Sequence, residues 1–120
     1  MVFLDSNTII YLSKGLISVD DVFKSNEQYC VSIITHMEVL GYDFESNEEK
    51  KFIEELLSYL HIIYIDEAIA KKVIKIRRKN KIKLPDAIIC ATALINKATL
   101  MTNDTRLEKI ENLQINFLQI

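Results

Sequence analysis

The chain has 120 residues, 49% of them hydrophobic, with two Gly, one Pro and a formal net charge of −2. That length and composition suit one domain with a sizeable apolar core, and no stretch reaches the roughly 18 uninterrupted apolar residues of a membrane span. Met1 runs straight into Val2-Phe3-Leu4-Asp5 without the basic start and cleavage site of a secretory signal. Cys30 and Cys90 are too few for a disulfide framework, so a reduced, cytoplasmic protein is expected.

Val2-Phe3-Leu4 reads as a short apolar strand that stops at Asp5. Asp5-Ser6-Asn7-Thr8 then supplies N-caps for a short helix carrying Ile9, Ile10 and Leu12, which ends at Gly15. Between Gly15 and Gln28 the pattern supports only a helical turn from Asp20 to Lys24. Tyr29-Cys30-Val31 is a second strand ending at Ser32. Ile33, Met37, Leu40 and Gly41 fall at helical spacing, predicting a helix over Ile33 to Phe44 with Glu38 in its second turn. Asn47 to Leu60 is amphipathic, apolar at Phe52, Ile53, Leu56, Leu57 and Leu60. Ile62 to Ile65 has the length and β-branching of a buried strand.

Asp66 caps the next helix, Glu67 to Asn80, whose apolar stripe is Ile69, Val73 and Ile76. From Lys71 to Lys83 there are eight Lys or Arg residues and no acid. Taken alone, such a run reads as a solvated helix face. Pro85 then suits the first turn of another helix, and Asp86 in that turn favours the positive end of its dipole. Beyond Asp86, Ala87 to Ile95 has no polar residue but Thr92, and a helix apolar on all sides belongs inside a protein. Thr99 to Thr102 gives a fourth strand, Asn103-Asp104 a turn, Thr105 to Ile110 a helical turn, and Gln114 to Leu118 a last strand. Strands alternating with helices predict an α/β fold, a three-layer α/β/α sandwich around a mainly parallel sheet.

In such sheets, sites form beyond the carboxyl ends of the strands. Asp5 ends the first strand, Asp104 follows the fourth, and Glu38 lies in the helix leaving the second. Asp86 reaches the same rim if its helix packs antiparallel to the strands. Each acid alone has an ordinary explanation as a cap, turn or surface residue. Four neighbouring carboxylates would repel one another, which a hard divalent cation relieves. An all-oxygen donor set suits magnesium or manganese rather than zinc.

Four ordered segments carry a resemblance to a known family. They are Phe3-Leu4-Asp5-Ser6-Asn7-Thr8, Ser32 to Leu40 around Glu38, Leu84-Pro85-Asp86 to Ala93, and Leu100-Met101-Thr102-Asn103-Asp104. In these the chain resembles a PIN domain, and among PIN domains the VapC-type toxins of toxin–antitoxin pairs. The resemblance spans nearly the whole chain. It implies a metal-dependent endoribonuclease using Mg2+ or Mn2+, a homodimer, and a cognate antitoxin partner. Carried over by position, Asp5, Glu38, Asp86 and Asp104 match the family's catalytic acids, with Ser6, Asn7 and Thr102 at its supporting polar positions. Asp5 and Asp86 are then expected as direct ligands and Asp104 as a ligand directly or through water. Glu38 has two open roles, ligand to a second ion or orienter of the attacking water. The basic run leads toward Asp86, which makes Lys75, Arg78, Lys79, Lys81 and Lys83 candidates for holding the RNA backbone.

Other readings fit less well. A haloacid-dehalogenase-like phosphatase needs a second Asp two residues after Asp5, where Asn7 stands. A response-regulator receiver needs paired acids after its first strand and a phosphoacceptor Asp after its third. A catalytically silent PIN-like binding module and a DNA-directed nuclease of the same chemistry remain as alternatives. His36 falls on a different helix face from Glu38, and His61, at the start of a strand, is expected to be structural.

Overall fold

Five short strands, all paired in parallel, form the centre of the computed structural model, which describes residues 1–119. They are β1 (Val2–Leu4), β2 (Tyr29–Ser32), β3 (His61–Ile63), β4 (Thr99–Thr102) and β5 (Gln114–Phe117), lying side by side in the order β3-β2-β1-β4-β5. The chain starts in the middle at β1, steps outward to β2 and β3, then crosses back to place β4 on the other side of β1. The strand order therefore reverses between β1 and β4, the place where open parallel sheets leave a crevice.

Alternation along the strands divides the interior in two, because successive side chains point to opposite faces. Phe3 is in register with Cys30 and Leu100, and all three are buried with α5 (Glu67–Lys79) and α6 (Leu84–Ile95). Leu4 is in register with Met101, and these two pack with Val31 on the other face. That second face is covered by α1 (Ser6–Ser13), α2 (Val19–Val22), α3 (Ile33–Leu40) and α4 (Asn47–Ser58). The result is the three-layer α/β/α sandwich that the alternation of elements predicts.

The helices start where the sequence supplies caps. Side chains of Asp5, Ser18, Ser32, Ser46 and Asp66 each accept a hydrogen bond from a backbone N–H of the helix that follows, satisfying donors that have no partner within the helix. Ser18 moves the short α2 to Val19–Val22, one residue earlier than the expected Asp20 start. The helix expected over Ile33 to Phe44 ends at Leu40, with Gly41 as its C-cap. Likewise α4 stops at Ser58 rather than Leu60. The largest departure is β3. The stretch Ile62 to Ile65 was expected as a buried strand, but β3 spans His61–Ile63 and pairs only with β2. It is the edge of the sheet, so His61 is exposed and the β-branched run ends in the exposed Tyr64 and Ile65.

The helix α6 is buried along its middle, where every residue from Ala87 to Ala93 is inaccessible or nearly so. Only its ends emerge, at Leu84 and Ile95. Small residues on one side let it approach both α5 and the strands β2 and β4. Its C-terminal end leads through Asn96 and Lys97 into the start of β4, with Ala98 N–H bonded to Ala93 O at 2.9 Å. Among the described residues no helix is long and apolar enough to cross a membrane.

Because Ala91 is fully buried in this helix, Ala91→Leu should overpack the core. A loss of about 1–3 kcal/mol is expected, read as a lower urea midpoint at unchanged slope.

Candidate active site

Asp5 is the residue that β1 delivers to the rim. It is buried, and its carboxylate is held from three directions. Thr8 donates to Oδ1 through both its backbone N–H (2.9 Å) and its hydroxyl (2.6 Å), and the Thr102 hydroxyl donates to Oδ2. The backbone N–H of Asp104 in turn donates to Thr102 Oγ1 at 3.1 Å. One acid therefore caps α1, ties β1 to the end of β4, and lies at the crossing point of the strand order. Thr102, fully buried at the end of β4, is the connecting piece.

The other three acids arrive from separate elements. Glu38 sits exposed on α3, and Ser6 Oγ donates to its Oε1 at 2.6 Å. Asp86 lies in the first turn of α6, whose orientation against the strands carries it to the same rim as Asp5. Asp104 caps the 3₁₀ turn Thr105–Lys109. The four acids, with Ser6 and Asn7, line one small pocket of about 140 Å³. All seven expected polar site residues thus gather at the β1–β4 crevice, six along the pocket and Thr102 beneath it.

The electrostatics record this crowding. Burial, then the negative charges of Asp104 and Asp5, push the Asp86 carboxyl above its usual value, only partly offset by Arg106 and Lys83. Asp104 goes the other way, because Arg106 hydrogen-bonds its carboxylate and favours the charged form. Behind Asp86, the Cys90 thiol is pushed up to about 12, by burial first and then by Asp86, Asp104 and Asp5. Cys90 and the equally buried Cys30 are unpaired.

The four acids of this pocket offer only oxygen ligands, and burial first, then repulsion from Asp104 and Asp5, raises the proton affinity of Asp86. Both features fit a hard divalent cation of the magnesium or manganese type. Among the described residues, though, no three His, Cys, Asp or Glu side chains are drawn together as a ligand group. Three of the acids are engaged elsewhere, Asp5 with Thr8 and Thr102, Glu38 with Ser6, and Asp104 with Arg106.

A second, larger pocket of about 450 Å³ adjoins the first and shares Asp86, Asp104, Arg106 and Leu107 with it. Its cations are Arg77, Lys81, Lys83, Arg106 and Lys109. Lys81 and Lys83 of the expected basic set are here. Lys75 and Lys79 instead line a separate groove with Lys72, where Lys79 pairs with Glu111, and Arg78 lines neither. Arg77 was within reach of sequence reasoning, since it directly follows the stripe residue Ile76 and so flanks the packed face of α5. Arg106 and Lys109 carried no such signal, being isolated cations in a turn.

A protein-family model for the PIN domain matches residues 2–113. The chain belongs to the PIN-domain family. Solved structures similar to this PIN domain include a toxin–antitoxin complex from Klebsiella pneumoniae, 28% identical with a TM-score of 0.76, covering 99% of this chain and 97% of that one. VapBC-1 from nontypeable Haemophilus influenzae is 26% identical with a TM-score of 0.79, covering 98% of each chain. VapBC2 from Rickettsia felis, solved with a DNA fragment of its promoter, has a TM-score of 0.85 at 20% identity, covering 99% of this chain and 100% of that one. No curated relative matches the sequence.

Asp86 gives the site a measurable signature. Its folded-state pKa lies above the ordinary 3.8, so as pH rises the unfolded chain ionises first and stability is lost through the folded pKa. Asp86→Asn should therefore be more stable than wild type at pH 7, with the gap closing as pH falls through the folded pKa and gone once pH is below 3.8. Urea denaturation at a series of pH values checks both the sign and the closure.

Proposed function

We propose that this PIN domain is a metal-dependent endoribonuclease that hydrolyses RNA phosphodiester bonds and is the toxin of a type II toxin–antitoxin pair. The observation that carries the reading is the meeting of Asp5, Glu38, Asp86 and Asp104, from four separate segments, in one pocket at the β1–β4 crevice. Asp5, Asp86 and Asp104, with Glu38, are the residues to hold Mg2+ or Mn2+, which when bound supplies a Lewis acid for a phosphate oxygen and acidifies water.

The chain's own residues do the positioning. Thr8 and Thr102 fix both oxygens of Asp5, and Thr102 also holds the Asp104 backbone. Ser6 occupies Glu38 Oε1 and leaves Oε2 to orient the attacking water. Asn7, exposed on the pocket wall, is a further polar support. Lys81 and Lys83, beside the acids, hold the RNA backbone, with Lys75, Arg78 and Lys79 farther along α5 lending charge to the approach.

Two partners complete the proposal. The similarity to the Klebsiella and Haemophilus complexes supports a cognate antitoxin. The apolar groove of Val19, Phe23, Phe52, Leu56 and Tyr59 is a surface suited to a protein partner. A homodimer is supported by Met37 and Leu40, exposed apolar residues flanking Glu38 on α3. The proposed location is the cytoplasm, in keeping with two unpaired buried cysteines.

Purified protein incubated with structured RNAs should cleave them in Mg2+ or Mn2+ and stop on addition of EDTA. Asp5→Asn should be inactive, and Thr102→Val should lose about 10- to 100-fold, as expected for a residue that orients a ligand. Cleavage by Asp5→Asn at the wild-type rate would count decisively against the proposal. Light scattering across micromolar concentrations should return the mass of a dimer; a monomer throughout would remove that part.

A further inference from the structure

Asp104 is the one acid of the pocket that is already neutralised. Its Oδ1 accepts from the backbone N–H of Arg106 at 3.0 Å and from Arg106 Nε at 2.9 Å, and its Oδ2 accepts from Nη2 at 2.7 Å. This is the two-pronged geometry in which a guanidinium matches a carboxylate. Arg106 is the single cation among the described residues lining the acid pocket, where it stands with Asp5, Glu38, Asp86 and Asp104. It also lines the basic pocket next door, with Arg77, Lys81, Lys83 and Lys109. Its side chain is 74% exposed while that of Asp104 is 19% exposed, so the arginine has room to move and the acid does not.

We propose that Arg106 is an internal stand-in for the cation, holding Asp104 until the metal arrives and releasing it when Asp104 joins Asp5 and Asp86 as a ligand. This inference rests on the metal-dependent reading above and adds to it a residue that competes with the metal. The physical basis is that a carboxylate whose two oxygens face a guanidinium must give up that fork to turn toward a different cation. The neighbouring basic pocket supplies somewhere for the fork to go. Guanidinium groups bind phosphate in the same two-pronged way as carboxylate, so an RNA phosphate lying there offers Arg106 an equivalent partner. The metal-free site is in this way kept from carrying four unbalanced carboxylates.

The test is Mn2+ binding by the intact protein without nucleic acid, followed by the electron paramagnetic resonance signal of free Mn2+. Wild type, Arg106→Gln and Arg106→Lys are compared. Arg106→Gln should bind Mn2+ about fivefold more tightly, the upper size for an exposed ion pair of good geometry. Arg106→Lys keeps the charge but loses the fork, and it should also bind more tightly than wild type. If Arg106→Lys matches wild type while Arg106→Gln alone is tighter, net charge accounts for the effect and the proposal is overturned. Equal or weaker binding in Arg106→Gln overturns it as well. Should wild type and both variants bind no Mn2+, the metal-dependent reading itself falls and takes this inference with it.

Discussion

The hydrogen bonds that converge on the Asp5 carboxylate hold together the part of the molecule on which everything else depends. Oδ1 is bonded by Thr8 and Oδ2 by Thr102, so a single side chain joins the end of β1, the first turn of α1 and the end of β4. A buried carboxylate is costly unless its oxygens are satisfied, and here each has a donor. The same bonds hold the carboxylate at a fixed place. They also bring Asp104 to the rim, because Thr102 accepts the Asp104 backbone N–H. Removing the Thr102 hydroxyl would leave Oδ2 without its donor and loosen the tie between β1 and β4, whereas Oδ1 would keep the Thr8 backbone N–H if the Thr8 hydroxyl were lost.

The second constraint comes from α6. Its buried run of small and branched residues packs between α5 and the sheet, and that packing fixes where its N-terminal turn lies. Asp86 is therefore positioned by the core rather than by hydrogen bonds of its own. Its carboxyl feels both the low polarity of the packed helix and the charges of Asp104 and Asp5. The two aspartates nearest each other in charge are consequently tuned in opposite directions, one raised by burial and repulsion, the other lowered by Arg106. This arrangement puts an acid that is reluctant to ionise beside one that is already compensated.

The surface charge follows the same division. The basic run of α5 has two sides, separated by the stripe Ile69, Val73 and Ile76 that packs on the core. Arg77, with Lys81 just beyond the helix, falls on the side of the acids, whereas Lys72, Lys75 and Lys79 face a different groove toward Glu111. With Lys109 and Arg106 from the 3₁₀ turn, cations from three elements surround Asp86 and Asp104. A chain with a net charge of −2 thus presents a locally positive pocket beside its most acidic one.

Much of this was legible in the residues themselves. The strand–helix alternation, the caps at Asp5 and Asp66, and the all-round apolar run after Asp86 are local signals that act within a few residues. They specify element types and the parallel sheet, and they place Asp5, Glu38 and Asp104 near strand ends by simple counting. What they could not specify is which strand becomes an edge: Ile62 to Ile65 reads as a buried strand, and only the pairing of the whole sheet leaves β3 bonded to β2 alone. Nor could they decide which face of the basic helix meets the acids, since that depends on how α5 packs on α6. Arg106 is the clearest case. Two residues after Asp104 it is an unremarked cation in the chain, and only the tertiary fold, by crowding Asp5 and Asp86 against Asp104, makes its fork the counter-charge of the site.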